Sequence, residues 1–346
     1  MGSHSDSPAP HAAIRTRPRP ACPVCGGSGE IRFRESIDRL FGVPGQWTLR
    51  SCADAACSSF WLDPAPLPED LGLLYRRYYT HRGPERPGPA RTLYWQGVRG
   101  LLARRYGYPS PGPLGEALGV LLSTFENRVD QIGHSISHLP FLPSGRVLDV
   151  GCGDGARLDR LRSLGWQCTG VDLDTAALAS GRGRGLDLRL GTAETLEEPD
   201  ASFDAITLSH VIEHVPDPRV TLRSCRRMLR SGGLLSVATP NALSLGAQRW
   251  KAEWRGWEVP RHLQVFSPRS LARIVESAGF RLTTCRTSAR IAATILLESE
   301  EPEQVNQNLP HTPKAIHRAA EFERIERAAL RTDPLVGEEL VLLATT

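Results

Sequence analysis

From Arg146 onward the chain alternates short apolar runs with apolar residues at helical spacing. Arg146–Val150 is an apolar run closed by Gly151-Cys-Gly-Asp-Gly155. Leu158, Leu161 and Leu164 then recur at the spacing of one helix face, and Gly165 is a stop signal. Cys168–Leu173, Leu188–Leu190 and Phe203–Leu208 predict three more strands. Asp217-Pro218 has the cap-then-proline order of a helix start, with Leu222, Cys225 and Leu229 on one face and Gly232-Gly233 ending it. Leu234–Ala238 predicts another strand. Ser267-Pro268 opens a helix whose Leu271, Ile274, Val275 and Ala278 form one stripe, stopped by Gly279. Arg281–Cys285 and Leu340–Ala344 supply late strands, and the polar stretch Glu298–Pro334 between them predicts a helical insertion over about residues 291–334. Alternating strands and helices predict an α/β fold: a doubly wound, mostly parallel sheet of seven strands, covered on both faces.

The part before Arg146 is organised differently. Residues 1–20, rich in Ser, Pro, Ala, His and Arg, cannot bury enough apolar surface to order themselves and read as a disordered tail. Residues 21–81 carry half of the eight cysteines and read as a small module. Residues 82–142 begin with a Pro/Gly linker and continue as lead-in helices, and 143–346 form the main domain. With 40% apolar and 23% charged residues the composition is that of an ordinary soluble protein. A formal charge of +4 without a clustered basic face makes nucleic acid an unlikely partner. No uninterrupted apolar run reaches the ~18 residues a membrane span requires, and no secretory pattern opens the chain, so a cytoplasmic protein with no membrane partner is expected. Nothing in these patterns encodes oligomeric state.

Cys22-Pro-Val-Cys25 and Cys52-Ala-Asp-Ala-Ala-Cys57 give a C-x2-C pair followed by a C-x4-C pair. That spacing suits tetrahedral zinc held by Cys22, Cys25, Cys52 and Cys57, and four thiolates close the shell, so the metal would be structural. A module of this size has a marginal core, whereas structural zinc contributes an apparent ~10–16 kcal/mol to folding. Without an export signal, thiols serve as ligands or core residues more often than as disulfides. Cys152, Cys168, Cys225 and Cys285 lie in the periodic domain and read as core-facing.

Glycines at 151, 153 and 155 follow a strand and open a helix, where they allow a tight turn and close ligand approach. Asp172 ends the next strand, near the roughly 20-residue offset at which an acid meets ribose hydroxyls. The spacing is not the G-x-G-x-x-G of dinucleotide sites, and no Gly-Lys-Ser/Thr follows to cradle a triphosphate. Val147–Gly155 resembles motif I of class I S-adenosylmethionine-dependent methyltransferases. Gly170–Asp174, Gly191–Glu194, Phe203–Pro218 and Leu229–Leu235 resemble their later motifs in order and spacing, over roughly residues 140–290. The subgroup suggested contains O-methyltransferases similar to those of ubiquinone biosynthesis and tailoring enzymes for sugars and natural products. The resemblance implies S-adenosylmethionine at the carboxyl ends of the strands. Asp149 would support the loop, and Gly151, Cys152 and Gly153 would admit the methionine portion. Asp172 would take the ribose diol, Leu173 would pack on adenine, Ala193 and Glu194 would read its amine, and Ser209 and His210 would line the methionine side. The cysteine module, followed by Tyr75, Tyr78, Tyr79 and His81, also looks like the front part of some sugar and natural-product methyltransferases.

A sulfonium donor is already activated, so the protein mainly aligns an in-line displacement. A hydroxyl acceptor gains roughly 10²–10⁴-fold from a general base, and His210, His214 and His262 are the candidates. One helical turn would put His210 and His214 on the same side; for His214, holding the strand-to-helix turn through a backbone carbonyl, and for His262, a purely structural role, are the competing readings. H-x-x-E-H over 210–214 is not the zinc-protease order, which disfavours a catalytic metal. Trp254 and Trp257, with Tyr78 and Tyr79, are candidates to cover and stack on the substrate, and ordinary core packing is the competing reading for the tryptophans. The expectation is O-methylation of a hydroxylated small molecule, a sugar or secondary metabolite. The alternatives are a C- or N-methyltransferase, an RNA methyltransferase docking through the ribbon, and a cofactor-binding regulator.

Overall fold

A computed structural model of the chain describes residues 14–75, 89–307 and 309–346. The N-terminal module starts earlier than expected, because residues 14–20, read from sequence as part of a tail, pack on it: β1 (Thr16–Arg17) pairs with β5 (Ala65–Pro66), and Arg15 binds Asp70 at 2.7 Å. Between them lie β2 (Gly29–Ser36), β3 (Trp47–Cys52) and β4 (Phe60–Leu62), and a 3-10 helix, Pro68–Tyr75, follows. Three lead-in helices follow: α1 (Pro89–Tyr106), α2 (Pro113–Ser123) and α3 (Glu126–Ser135). The main domain runs β6 (Arg146–Val150), α4 (Ala156–Ser163), β7 (Gln167–Asp172), α5 (Thr175–Arg182), β8 (Asp187–Leu190) and β9 (Phe203–Ser209). It continues with α6 (Pro218–Met228), β10 (Leu229–Pro240), α7 (Leu245–Trp250), β11 (Gln264–Val265), α8 (Pro268–Ser277) and β12 (Arg281–Ser288). The insertion is α9 (Ala292–Glu300), α10 (Pro302–Asn306) and α11 (Pro313–Ala329), before β13 (Glu339–Thr345).

Seven strands form one sheet in the order β12-β13-β10-β9-β6-β7-β8. β13 pairs antiparallel with β10 and β12, and the other pairings are parallel. The sheet is therefore doubly wound and mostly parallel. The local chemistry is that of the sequence pattern. Asp174 caps α5 by accepting from the Ala176 and Ala177 N–H groups, Asp217 caps α6 with Pro218 behind it, and Ser267 caps α8. Leu271, Ile274 and Val275 bury one face of α8 completely. One boundary differs from expectation. α6 ends at Met228, and Gly232-Gly233 lie inside the early part of β10, because buried Leu229 already pairs with Phe203 and the register slips before Leu234. Of the four domain cysteines, Cys152 and Cys225 are buried and Cys168 and Cys285 are half-buried.

The module is not a bead on a string. β11 of the main domain pairs with β4 and completes a four-stranded sheet, β11-β4-β3-β2. Cys22, Val24, Cys57 and Trp61 share one apolar cluster with Val150, Leu208, Leu222 and Phe266 of the main domain. Arg261 and Asp38, both buried, pair across the junction at 2.8 Å.

The insertion docks on the main domain with a carboxylate. Glu326 on α11 is fully buried and accepts the Glu338 N–H at 2.8 Å. The Glu338 carboxylate accepts from Ser244 Oγ at 3.0 Å, the Gly246 N–H at 2.6 Å and Trp254 Nε1 at 2.9 Å. Burial, reinforced by the Glu338 charge, pushes the Glu326 pKa up to about 9. An unfolded glutamate releases its proton near ~4.3, so between that pH and about 9 the native state binds more protons than the unfolded state, and stability falls as pH rises. Glu326→Gln keeps the acceptor oxygen without a proton to lose. Its melting temperature is expected to decline less than that of the parent between pH 5 and pH 9, a trend that thermal unfolding across this series measures.

Candidate active site

The turn after β6 is built for close approach. Gly151, Gly153 and Gly155 all have positive φ, at 68°, 55° and 77°. A Cβ on Gly151 would come 2.3 Å from Val211 Cγ2, so the segment after β9 lies directly against this turn, whereas a Cβ on Gly153 would meet nothing within 4 Å. The Asp172 carboxylate is held on both oxygens: the Gly153 N–H donates to Oδ2 and the Asp174 N–H to Oδ1, each at 2.8 Å. Each oxygen keeps a second lone pair for a ligand. Leu173, next in the chain, and Leu190, the partner of Asp172 across β8, flank it with 68% and 59% of their surfaces exposed, so that Leu190 joins the expected Leu173 in an apolar rim.

Beneath the turn, buried Asp149 accepts from Thr207 Oγ1 at 2.5 Å and from Arg157 Nη1 at 3.3 Å. Burial raises its pKa, and Arg157 and Thr207 work against that rise. Cys152 packs in the apolar cluster under the turn and Ala193 is fully buried, so either would meet a ligand through its backbone. Glu194 is exposed, with Oε1 accepting from Thr221 Oγ1.

The histidines do not behave as a set. Residues 210–217 form turns and not the helical turn expected, and His210 itself has φ +55°. His210 Nε2 lies 2.8 Å from Glu339 Oε1, and Nδ1 lies 3.5 Å from Glu213 Oε1. Burial would lower the pKa of His210, but the two carboxylates outweigh it and hold it at about 9. At neutral pH this ring is an imidazolium and has no lone pair for an acceptor proton, which removes it from the candidate bases. Glu339 also binds Arg290, through Nε at 2.7 Å and through Nη2, and lies 3.7 Å from His134 Nδ1. Arg157 reaches His134 Nε2 at 3.3 Å. A ladder Asp149–Arg157–His134–Glu339–His210–Glu213 thus runs from the glycine turn to the rim after β9. His134, Arg290 and Glu339 escaped the sequence reading, the one available signal being a carboxylate at the mouth of an apolar strand.

His262 is buried, and burial, opposed by Glu258, lowers its pKa to about 4. Its Nδ1–H donates to the Gly256 carbonyl at 2.7 Å, and Nε2 sits 3.3 Å from Glu258 Oε2. His214 is half-buried, with its ring 4.6 Å from that of His262. His214 Nδ1 lies 3.1 Å from the Arg261 carbonyl and 3.0 Å from Tyr75 Oη. A carbonyl only accepts, so the proton belongs on Nδ1 and the lone pair on Nε2. One donor atom each of Glu213, His214 and His262 come within 4.8 Å of one another, close enough to hold a cation. They also have partners inside the protein, Glu213 accepting from Thr239 Oγ1 at 2.9 Å.

Trp254 and Trp257 are core residues, contrary to a stacking role. Both are buried, their rings meet edge-on at 4.8 Å, and they pack with Trp47, Leu49 and Leu62 of the module. Their indole N–H groups are spent on Glu338 and on the Lys251 carbonyl. Tyr78 and Tyr79 lie outside the described residues. Cys22, Cys25, Cys52 and Cys57 converge, their sulfurs all within 4.8 Å of one another. Cys22 and Cys57 are separated by 3.8 Å and Cys25 and Cys52 by 3.4 Å, against about 3.8 Å for the edge of a tetrahedron with ~2.3 Å metal–sulfur bonds.

The methyltransferase-domain family matches residues 125–284. The ubiquinone biosynthesis O-methyltransferase of Idiomarina loihiensis is 32% identical over 162 residues, 43% of this chain and 67% of that protein. That of Sinorhizobium fredii is 30% identical over 184 residues, 49% of this chain and 74% of that protein. The chain belongs to the S-adenosylmethionine-dependent methyltransferases. The ubiquinone biosynthesis O-methyltransferase of Xanthomonas oryzae is 41% identical to this methyltransferase, over 29% of this chain and 45% of that one. Among solved structures, a possible histamine N-methyltransferase from Thermotoga maritima aligns with a TM-score of 0.42 and 21% identity, over 66% of this chain and 94% of that one. A methyltransferase from Archaeoglobus fulgidus aligns with a TM-score of 0.42 and 20% identity, over 65% and 94%. Among the described residues, no helix of this methyltransferase is long and apolar enough to cross a membrane.

The charge ladder generates a direct test. Glu339→Gln removes the carboxylate that carries His210 above neutrality and leaves Arg290 without its partner. The His210 pKa measured by NMR titration is expected to fall from about 9, and stability by roughly 3–5 kcal/mol in chemical denaturation, the cost of breaking a buried ion pair from one side.

Proposed function

We propose that this methyltransferase methylates a hydroxyl oxygen of a small molecule, with His214 as general base. The observation that carries the reading is the state of His214: among the three candidate histidines, it combines a half-exposed ring with a backbone carbonyl that assigns its proton to Nδ1. The relatives named ubiquinone biosynthesis O-methyltransferase support oxygen as the acceptor atom. S-adenosylmethionine, when bound, supplies a methyl group already activated on a sulfonium. Asp172 would receive its ribose diol, Leu173 and Leu190 would cover the adenine, and Glu194 with the Ala193 backbone would meet the exocyclic amine. Ser209 and His210 would line the methionine side, where the His210 imidazolium suits a carboxylate. Val211 stacks the segment carrying His214 onto the glycine turn, so base and donor share one wall. His214 Nε2 would take the acceptor proton as the oxygen approaches the methyl carbon in line.

The acceptor we favour is a hydroxylated small molecule, a sugar or other secondary metabolite. With Trp254 and Trp257 in the core, its binding surface falls to the exposed rim around His214. The four cysteines fit structural zinc, whose role would be to hold β2–β4 and the loops bearing the ligands in place, with no position open for chemistry.

Two measurements test these assignments. His214→Ala is expected to lower turnover about 10²-fold, assayed as S-adenosylhomocysteine released with a panel of hydroxylated aromatics and sugars. Calorimetry should find its affinity for S-adenosylhomocysteine unchanged, while Asp172→Ala weakens that affinity about 10-fold or more, the worth of hydrogen bonds to a charged group. Elemental analysis of the full chain is expected to find about one zinc per molecule, lost together with several degrees of melting temperature in Cys22→Ser.

A further inference from the structure

Both groups that meet Nδ1 of His214 connect to the N-terminal module. Tyr75, the last residue of the 3-10 helix Pro68–Tyr75, brings its hydroxyl to 3.0 Å from Nδ1, with the two rings edge-on at 6.0 Å. The second partner, the Arg261 carbonyl at 3.1 Å, belongs to a residue held between Glu258 of the main domain and Asp38 of the module. The Arg261 guanidinium is completely buried, bonded to both oxygens of Asp38 at 2.8 and 3.1 Å, and covered by the Phe41 ring at 4.3 Å. Further along the same rim, Arg19 of the module binds Gln264 Oε1 at 3.0 Å. Gln264 in turn donates to the carbonyls of Ile212 at 3.0 Å and Val215 at 2.8 Å, on either side of His214.

We infer that the module is the third wall of the acceptor site and that Tyr75 is a positioning residue for His214. The inference rests on the reading of His214 as the base. The Arg261 carbonyl can only accept, so Nδ1 carries the proton, and Tyr75 Oη shares that N–H as a second acceptor. Held from two directions, the ring cannot rotate about its outer torsion, and its unprotonated Nε2 stays aimed away from both partners. An imidazole free to choose its tautomer would spend part of its population with Nε2 protonated and unable to accept a proton; a fixed partner on the far nitrogen removes that population. The metal module thus acts on chemistry through geometry, without a ligand of its own in the reaction.

The test uses the full-length, metal-loaded chain labelled with ¹⁵N-histidine, with the His214 ring signals assigned by their absence in His214→Gln. The parent protein is expected to show His214 protonated at Nδ1; Tyr75→Phe should keep that tautomer, since the Arg261 carbonyl remains, but shift and broaden the ring signals as the second acceptor on Nδ1 is lost. With 3,4-dihydroxybenzoate and S-adenosylmethionine as probes, Tyr75→Phe should lower kcat about 2- to 12-fold, the value of one hydrogen bond, with KM for the donor unchanged. Thermal unfolding of the variant should match the parent, separating positioning from folding. Identical His214 ring signals in Tyr75→Phe and parent would overturn the positioning role. Moved signals with full turnover in His214→Gln would instead overturn the base and leave the contact standing.

Discussion

Two backbone N–H groups, from Gly153 and Asp174, grip the carboxylate of Asp172 and so tie the turn after β6 to the end of β7. The other features of the site depend on that tie. It holds a three-glycine turn whose φ angles only glycine adopts without strain, and it presents a charged acceptor at the carboxyl edge of the sheet. The open space at Gly153 and the exposed leucines beside Asp172 follow from the same geometry, since a turn drawn to Asp172 leaves its outer face uncovered. Val211, pressed on Gly151, carries the constraint onward to the histidine segment. The glycine turn and the segment carrying His214 are thus packed as one unit.

The charge ladder beside it shows how buried ions serve position more than stability. Asp149, Glu213 and Glu339 are buried, and Arg157, His210 and Arg290 balance them. Taking such charges from water costs several kcal/mol each, which their mutual attraction does little more than repay. What the arrangement does gain is register. Glu339 on β13, Arg290 after β12, His134 on α3 and His210 after β9 meet at one point, so four chain segments separated by long stretches of sequence are aligned to one another. The Asp38–Arg261–Glu258 cluster does the same between module and main domain.

Local signals explain what could be read without coordinates. Caps such as Asp217-Pro218 and Ser267-Pro268, the stripe on α8 and the glycine turn are set by neighbours within a few residues, and they appear where the pattern puts them. The four ligand-type cysteines converge for the same reason, each pair being local and one hairpin joining them. What escaped was non-local. His210 and His214, four apart, suggested a shared helix face, yet a left-handed His210 turns the chain away, and nothing in the neighbouring residues announces the distant Glu339 that holds it there. Trp254 and Trp257 looked like a substrate cover because aromatic residues near a rim fit either role; β2–β4 of the module, distant in sequence, supply the surface that buries them. Gly232-Gly233 misled because a strand strong enough to begin at Leu229 overrides a helix stop.

The three histidines of the site illustrate how environment assigns roles to one side chain. His210, between two carboxylates, is a fixed cation; His262, sealed in the core, is held neutral with its pKa near 4. Neither state is useful for accepting a proton near neutral pH: the first has no lone pair left to accept with, and the second is a buried and too weak base. His214 differs in having one nitrogen spent on a carbonyl and the other uncommitted by that bond, at a half-exposed position. Separating the proton affinities of chemically identical groups by burial and charge is how a site distributes acid, base and electrostatic duties. The carbonyl and the hydroxyl that meet His214 Nδ1 both belong to segments packed against the N-terminal hairpin, which Asp38 joins to Arg261.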